Sequence, residues 1–323
     1  IRNSTLRGNV SVSSDVPLAV NIRGNDVGAP FDVCKIPAPP APFAPCGYVN
    51  ISSGAPLSLA IDQTSAADVF VKIDDIKGEP KDTAVAVPTS SVTIRNSTLR
   101  GNVNVSSHVP LAVKIHGTIV VPIDVCKTPA PPAPFIPSPF PCGNVIISSG
   151  APLSLAIDQT RAADVFVKID DIQGESKDAA VAPTSSVTIR NSRLRGDANI
   201  FSNVPLAVAF DQTTARGEVL IKAEGIPISS DVRSSKFANS IRIVDSVFGS
   251  LRIVGSERRD ELRLVRLHVL GRSHIETGDG DDSLTVSDTV FGSIAFLDGG
   301  DDTDSLILLG TRFRRGSQIV NWE

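Results

Sequence analysis

The chain has 323 residues, of which 41% are hydrophobic and 20% charged, and its formal net charge is −4 at pH 7. This apolar content is enough for a continuous core, so the composition excludes a wholly disordered chain. No long basic run predicts a nucleic-acid surface, and no stretch of about 18 apolar residues predicts a membrane span. Val, Ile, Leu and Ala dominate the apolar set, which favours β-strands.

The first element is a motif that recurs. Residues 1–20 read IRNSTLRGNVSVSSDVPLAV, and they return almost unchanged at 94–113 and in divergent form at 189–208. The first two copies stay alike to their ends, which indicates tandem duplication of a block of about 95 residues. The repeats predict one continuous solenoid of three blocks, the last with coils of about 22 residues. These blocks are residues 1–93, 94–188 and 189–323.

Short alternating segments fill each block. Runs such as Val10-Ser11-Val12 alternate with period two, which buries one face of a strand. A strand this short cannot form a core alone, so it must stack on a strand of the neighbouring turn. No segment has the 3.6-residue period and caps of a helix. We therefore predict an all-β fold, a parallel β-helix whose coils of about 20–30 residues each add about 4.8 Å.

A polar residue occupies one corner position of the repeat, directly before Ser or Thr. Asn and Asp tolerate left-handed backbone and bond to the local chain, so they suit a bend between strands. Stacked coil on coil, they would form a polar ladder. The predicted ladder residues are Asn3, Asn96, Asn191, Asp245 and Asp288.

This pattern resembles the right-handed parallel β-helix superfamily, whose pectate-lyase-like members use asparagine ladders. The resemblance covers most of the chain and implies fold more than function. Three tandem β-sandwich domains are the alternative, because a block with one disulfide has the right size. The motif recurs within a block, and Asp260, Asp282 and Asp304 are 22 residues apart. Both spacings are too short for a sandwich.

Each of the first two blocks contains a proline-rich loop between two cysteines, Cys34 and Cys46 in one and Cys126 and Cys142 in the other. Matched local pairs predict two disulfides and an oxidising, extracellular or cell-surface location. Zinc is the alternative, but C-x-x-C spacing and neighbouring His ligands are missing. The loops themselves predict projecting polyproline segments. Because the chain opens at Ile1 inside the repeated motif, we expect a processed or partial chain.

Five N-x-S/T sequons mark candidate glycosylation sites. Most of them lie inside the repeated motif, and a ladder asparagine turned inward would be closed to a glycosyltransferase. The five are Asn3, Asn9, Asn50, Asn96 and Asn104.

Two acidic turns, residues 277–284 and 299–306, resemble the calcium-binding nonapeptide of RTX proteins, although they lie a full coil apart and each departs from the pattern once. Stacked carboxylates would repel without a cation, and calcium takes six to eight oxygens. A solvated acidic turn is the alternative. Arg259 beside Asp260 predicts that the site stops before that coil. The candidate ligands are Asp279, Asp281, Asp282, Asp301, Asp302 and Asp304.

The chain offers no nucleophile motif and no grouped histidines, so we expect no enzyme. A polysaccharide lyase or hydrolase, or a sugar-binding β-helix, is one alternative, and a calcium-dependent adhesin is another. Repeats, local disulfides and the lack of an evident cap favour an extracellular structural protein. We expect a subunit of a surface filament or fibre, or a rod-like adhesin, that assembles head to tail with itself. Cell-surface glycans are a further expected partner.

Overall fold

The computed structural model consists of β-strands wherever it describes regular structure, and within those residues no helix is long and apolar enough to cross a membrane. The chain divides into two compact units: unit 1 comprises Ile1–Ser149 and Gln159–Val165, and unit 2 comprises Gly150–Asp158 and Phe166–Glu323. The structure describes residues 5–6, 10–24, 26–27, 49–66, 68–74, 90–99, 101–120, 143–170, 185–203, 206–223, 239–257 and 259–323.

The strands are short. The first seventeen are β1 Thr5–Leu6, β2 Val10–Ser14, β3 Leu18–Arg23, β4 Asp26–Val27, β5 Val49–Ser53, β6 Leu57–Asp62, β7 Ser65–Ala66, β8 Val69–Ile73, β9 Ser90–Arg95, β10 Thr98–Leu99, β11 Val103–Ser107, β12 Leu111–His116, β13 Ile119–Val120, β14 Val145–Ser149, β15 Leu153–Asp158, β16 Arg161–Ala162 and β17 Val165–Ile169. The remainder are β18 Ser185–Arg190, β19 Arg193–Leu194, β20 Ala198–Ser202, β21 Leu206–Asp211, β22 Thr214–Ala223, β23 Ser240–Val244, β24 Val247–Ser256, β25 Glu261–Val265, β26 His268–Val269, β27 Ser273–Gly278, β28 Ser283–Ser287, β29 Val290–Phe291, β30 Ala295–Asp298, β31 Ser305–Leu309, β32 Arg312–Phe313 and β33 Ser317–Val320.

In unit 1, each strand pairs in parallel with the strand three places along the chain. β3 pairs with β6, β6 with β9 and β9 with β12, while β5, β8, β11 and β14 form a second series. Three successive strands thus make one coil, and the next coil repeats their register. Parallel pairing is what a β-solenoid requires, whereas the sandwich alternative needs antiparallel sheets.

Unit 2 has the same arrangement. β25 pairs with β28 and β28 with β31, so that Glu261, Ser283 and Ser305 lie side by side. β24, β27, β30 and β33 form the matching second series. The 22-residue spacing of the sequence is therefore the length of one coil at this end of unit 2.

The core lies between these sheets and consists of aliphatic side chains at alternate strand positions. Leu57, Leu59 and Ile61 on β6 are at most 1% exposed, and Val92 and Ile94 beside them on β9 are 0% exposed. Each such side chain contributes about 1.5–3 kcal/mol by leaving water. Alternation buries one face of every strand, as the sequence predicts.

Candidate functional site

Three aspartates stack inside unit 2, each directly before a strand. The backbone N–H of Asp260 donates to Oδ1 of Asp282 at 2.6 Å, and the N–H of Asp282 donates to Oδ1 of Asp304 at 2.9 Å. Asp260 itself accepts from the N–H of Asn239 at 3.0 Å. All three aspartates are at most 2% exposed. We call these three residues the aspartate column; each carboxylate satisfies a backbone donor of the coil before it.

Three other coils satisfy the equivalent backbone donor with an uncharged side chain. Ser or Asn occupies the position there, so this hydrogen bond does not require a carboxyl group. The donors and acceptors are Leu57 N–H to Ser90 Oγ at 3.1 Å, Leu153 N–H to Ser185 Oγ at 3.2 Å, and Leu206 N–H to Asn239 Oδ1 at 3.1 Å.

The second carboxylate oxygens of the column differ from coil to coil. Oδ2 of Asp260 accepts from the backbone N–H of Ser256 at 2.9 Å. Oδ2 of Asp282 and Oδ2 of Asp304 are buried, and the described residues offer them no hydrogen-bond partner. A buried carboxyl oxygen without a donor favours the protonated acid, because a neutral carboxyl loses less hydration energy on burial.

Burial accordingly changes the acidity of all three groups. Desolvation raises the pKa of Asp260 to about 6, although hydrogen bonds from Ser256 and Asn239 oppose it. Desolvation raises the pKa of Asp282 to about 8, opposed by the N–H of Asp260. The pKa of Asp304 also rises through desolvation. The column is therefore a set of protonatable groups inside a hydrophobic coil stack.

The six candidate calcium ligands separate into two groups. Asp279, Asp281, Asp301 and Asp302 are exposed on the turns, whereas Asp282 and Asp304 are buried. Across the described ranges, no group of three or more His, Cys, Asp or Glu side chains could hold a metal ion. The calcium site stays a prediction, which melting with and without a chelator tests.

Asp260 belongs to the same buried column, directly before Asp282, although its arginine neighbour suggested that the acidic site ends there. Asp260 is 0% exposed, and Arg259 beside it is exposed. The 22-residue spacing of the three aspartates is the sequence signal for the column. That a calcium site stops before Asp260 stays a prediction.

The corner residues Asn96, Asn191, Asp245 and Asp288 all have left-handed backbone, with φ between 49° and 50°. Their side chains are exposed rather than inward-facing. Asn3, the fifth predicted member, lies outside the described residues. Further residues occupy the same corner position and were not predicted. Three of them could have been found from the repeated Gln-Thr pair, and the fourth is an Arg one coil after Asp245. They are Gln63, Gln159, Gln212 and Arg266, with φ between 47° and 50°.

The buried polar ladder at this corner comes one residue later and consists of hydroxyls. Ser97 Oγ donates to the carbonyl of Arg95 at 2.7 Å and accepts from the N–H of Thr64 at 3.2 Å. Thr213 and Ser246 repeat the arrangement at 3.2 Å in unit 2. Hydroxyls both donate and accept, so one small side chain closes the turn and bridges to the next coil.

The candidate glycosylation residues are placed in part. Asn50 on β5 and Asn96 at the corner are exposed, and Asn104 on β11 is half-buried. Asn3 and Asn9, together with Cys34, Cys46, Cys126 and Cys142, lie outside the described residues, so both disulfides stay predictions.

The last coil of unit 2 differs from the coils before it. On β28 the outward residues are Thr285 and Ser287, whereas the residues in register on β31 are Ile307 and Leu309, which are 45% and 58% exposed. Leu308 is 36% exposed, although its register partner on β28 is fully buried. Among the described strands β31 pairs with β28 alone.

Comparison with known proteins found no matching family model, no matching curated protein and no matching solved structure. Function has therefore to be inferred from the geometry of the chain itself.

Proposed function

We propose that the chain is an extracellular structural protein, a subunit of a surface filament or fibre or a rod-like adhesin, folded as a right-handed parallel β-helix. Copies of it join head to tail. The outward positions of β31 support this proposal, because they carry Ile307 and Leu309 where the register partners on β28 are Thr285 and Ser287.

An open strand edge is a template for pairing with another chain. A second copy stacked on β31, β32 and β33 would satisfy the edge N–H and C=O groups and remove Leu308 from water. The contact joins different surfaces of the two copies, and a contact of this kind that does not close into a ring gives a filament. The parallel coil stack supports the proposal, because each coil already pairs with its neighbour in the chain through the same kind of parallel strand edge.

The two cysteine pairs support an extracellular location, since disulfides persist in oxidising compartments. Each predicted loop closure would stabilise the subunit by about 2–3 kcal/mol. Mass spectrometry of the non-reduced protein tests this: peptides linking Cys34 to Cys46 and Cys126 to Cys142 are the expected result.

The assembly test compares two exposed leucines of unit 2. Leu309 on the last coil and Leu270 on the side of the unit are both 58% exposed. Sedimentation and negative-stain electron microscopy of the full chain should show concentration-dependent filaments. Leu309→Lys should abolish them, because it places a charge in the stacking interface, and Leu270→Lys should leave them intact. A wild-type protein that stays monomeric at high concentration, or equal loss in both variants, would overturn head-to-tail assembly.

A further inference from the structure

A shallow cleft of about 390 Å³ lies on the outer surface of unit 2, over β17, β20 and β22. Phe166 and Phe201 supply its aromatic lining, with ring centroids 5.6 Å apart and planes tilted by 43°. Phe166 is 37% exposed. Lys168, Lys222 and Asn203 line the same cleft. Ligand sites are lined mainly by apolar and aromatic side chains with a few polar groups.

The described side chains that line the cleft carry a net positive charge. Lys168 and Lys222 contribute two ammonium groups, and Asp170 contributes one carboxylate, with 2.6 Å between Lys168 Nζ and Asp170 Oδ2. Lys222 lies directly beside Phe201 in the register of β20 and β22. An ammonium has three donors, so a partner within the chain leaves it able to bind an anion.

Unit 1 shows that the fold does not need this cleft. β8 and β17 have the same sequence, Val-Phe-Val-Lys-Ile. In unit 1 the residue beside Lys72 is Ser106, and the residue beside that on the next coil is Ser148. Three residues in register on successive coils are therefore Lys, Ser and Ser in unit 1. In unit 2 the equivalent three are Lys, Phe and Lys.

The backbone confirms that Ser106 and Phe201 are equivalent. The residue two places after each donates its N–H to the last residue of the preceding identical strand: His108 to the carbonyl of Ile73 at 3.0 Å, and Asn203 to the carbonyl of Ile169 at 3.2 Å. Because the unit 1 coil forms with serine at this position, the coil stack does not require a phenylalanine there. Phe201 packs on Phe166 instead, and the two rings form one apolar patch at the surface, a feature that marks ligand sites.

We propose that this cleft binds an anionic sugar, a pyranose ring with a carboxylate or sulfate group. The C–H face of the sugar packs on Phe201, since an aromatic face is negative and C–H groups are positive. The anionic group accepts charge-assisted hydrogen bonds from the ammonium groups of Lys222 and Lys168. The amide of Asn203 donates to and accepts from ring hydroxyls. The site needs only a folded unit 2, so it is independent of filament assembly.

The test titrates the full chain, at a concentration below that of filament assembly, with three oligosaccharides of equal length and measures binding by calorimetry. One carries carboxylates, one carries sulfates and one is neutral, so the first two distinguish the source of the charge. We expect at least one anionic sugar to bind about tenfold more tightly than the neutral one, and added salt to weaken that binding. Equal binding of the neutral sugar would overturn the role of the lysines.

Two variants and a control locate the site. Phe201→Ser recreates the arrangement of unit 1, and Lys222→Gln removes one charge; each should weaken binding about tenfold. Phe296→Ala is the matched control, because Phe296 is another outward aromatic of unit 2 that stacks on His274 at 4.9 Å. It should leave the affinity unchanged. Circular dichroism checks that each variant folds. No binding by any sugar, or unchanged binding in both cleft variants, would overturn the proposal.

Discussion

A backbone donor that a hydroxyl satisfies in unit 1 is satisfied by a carboxyl in the aspartate column of unit 2. In unit 1 the N–H of Leu57 donates to the hydroxyl of Ser90 at 3.1 Å. In unit 2 the N–H of Asp260 donates to the carboxyl of Asp282 at 2.6 Å. The geometry is shared, but only the carboxyl can gain or lose a proton. The difference teaches that one position of the repeat can be insensitive to pH in the coils that carry Ser and sensitive in those that carry Asp.

The largest expected effect comes from removing a carboxyl of the column. Asp282→Ala leaves the buried N–H of Asp260 without its acceptor and opens a cavity, so the free energy of unfolding of unit 2 should fall by about 3 kcal/mol. Urea denaturation followed by tryptophan fluorescence of Trp322 measures it. A loss below that of an exposed substitution such as Leu270→Ala would contradict the buried column.

The second effect is the pH dependence of the stability of unit 2. Burial raises the folded pKa of Asp260 to about 6 and that of Asp282 to about 8. A raised carboxyl pKa means that the folded state binds more protons than the unfolded state. The contribution of these two carboxyls to the free energy of unfolding is fully present below about pH 4. It is lost as pH rises through 6 to 8, by about 2 kcal/mol after allowance for solvent screening.

Melting of unit 2 between pH 5 and pH 8, with a chelator present throughout, measures this dependence. Asp282→Asn should flatten it, because the amide keeps the acceptor for Asp260 and does not titrate. A melting temperature of unit 2 that rises over this pH range would contradict a protonated column.

The smallest effect is in unit 1. Ser90→Ala removes the neutral acceptor of Leu57, and the free energy of unfolding should fall by about 1 kcal/mol. The loss should be the same at pH 5 and pH 8, since a hydroxyl does not titrate there. Hydrogen exchange of the Leu57 amide measures it locally. A pH-dependent loss would remove the contrast between the two units.

The sequence predicted the alternating strands and part of the corner, but not the buried column. The alternation of Val10 and Val12, repeated in the later blocks, predicts which face of each strand is buried. It could not show that Asp260 and Asp282 are buried, because burial in a turn depends on the neighbouring coils and not on the neighbouring residues in the chain. Phe201 carried no signal as a single residue. A binding role for Phe201 can be inferred only once the register shows that Lys222 lies beside it on the next coil.

The central claim is that successive coils stack in parallel register, so that residue 285 lies beside residue 307. Cysteine cross-linking tests it on β28 and β31: Thr285 and Ile307 are register partners and both face outward. Thr285→Cys with Ile307→Cys should form a disulfide, because Cα atoms up to about 6.8 Å apart can be bridged. Thr285→Cys with Leu309→Cys, two residues out of register, should not. Efficient cross-linking of the second pair and none of the first would contradict the coil stack.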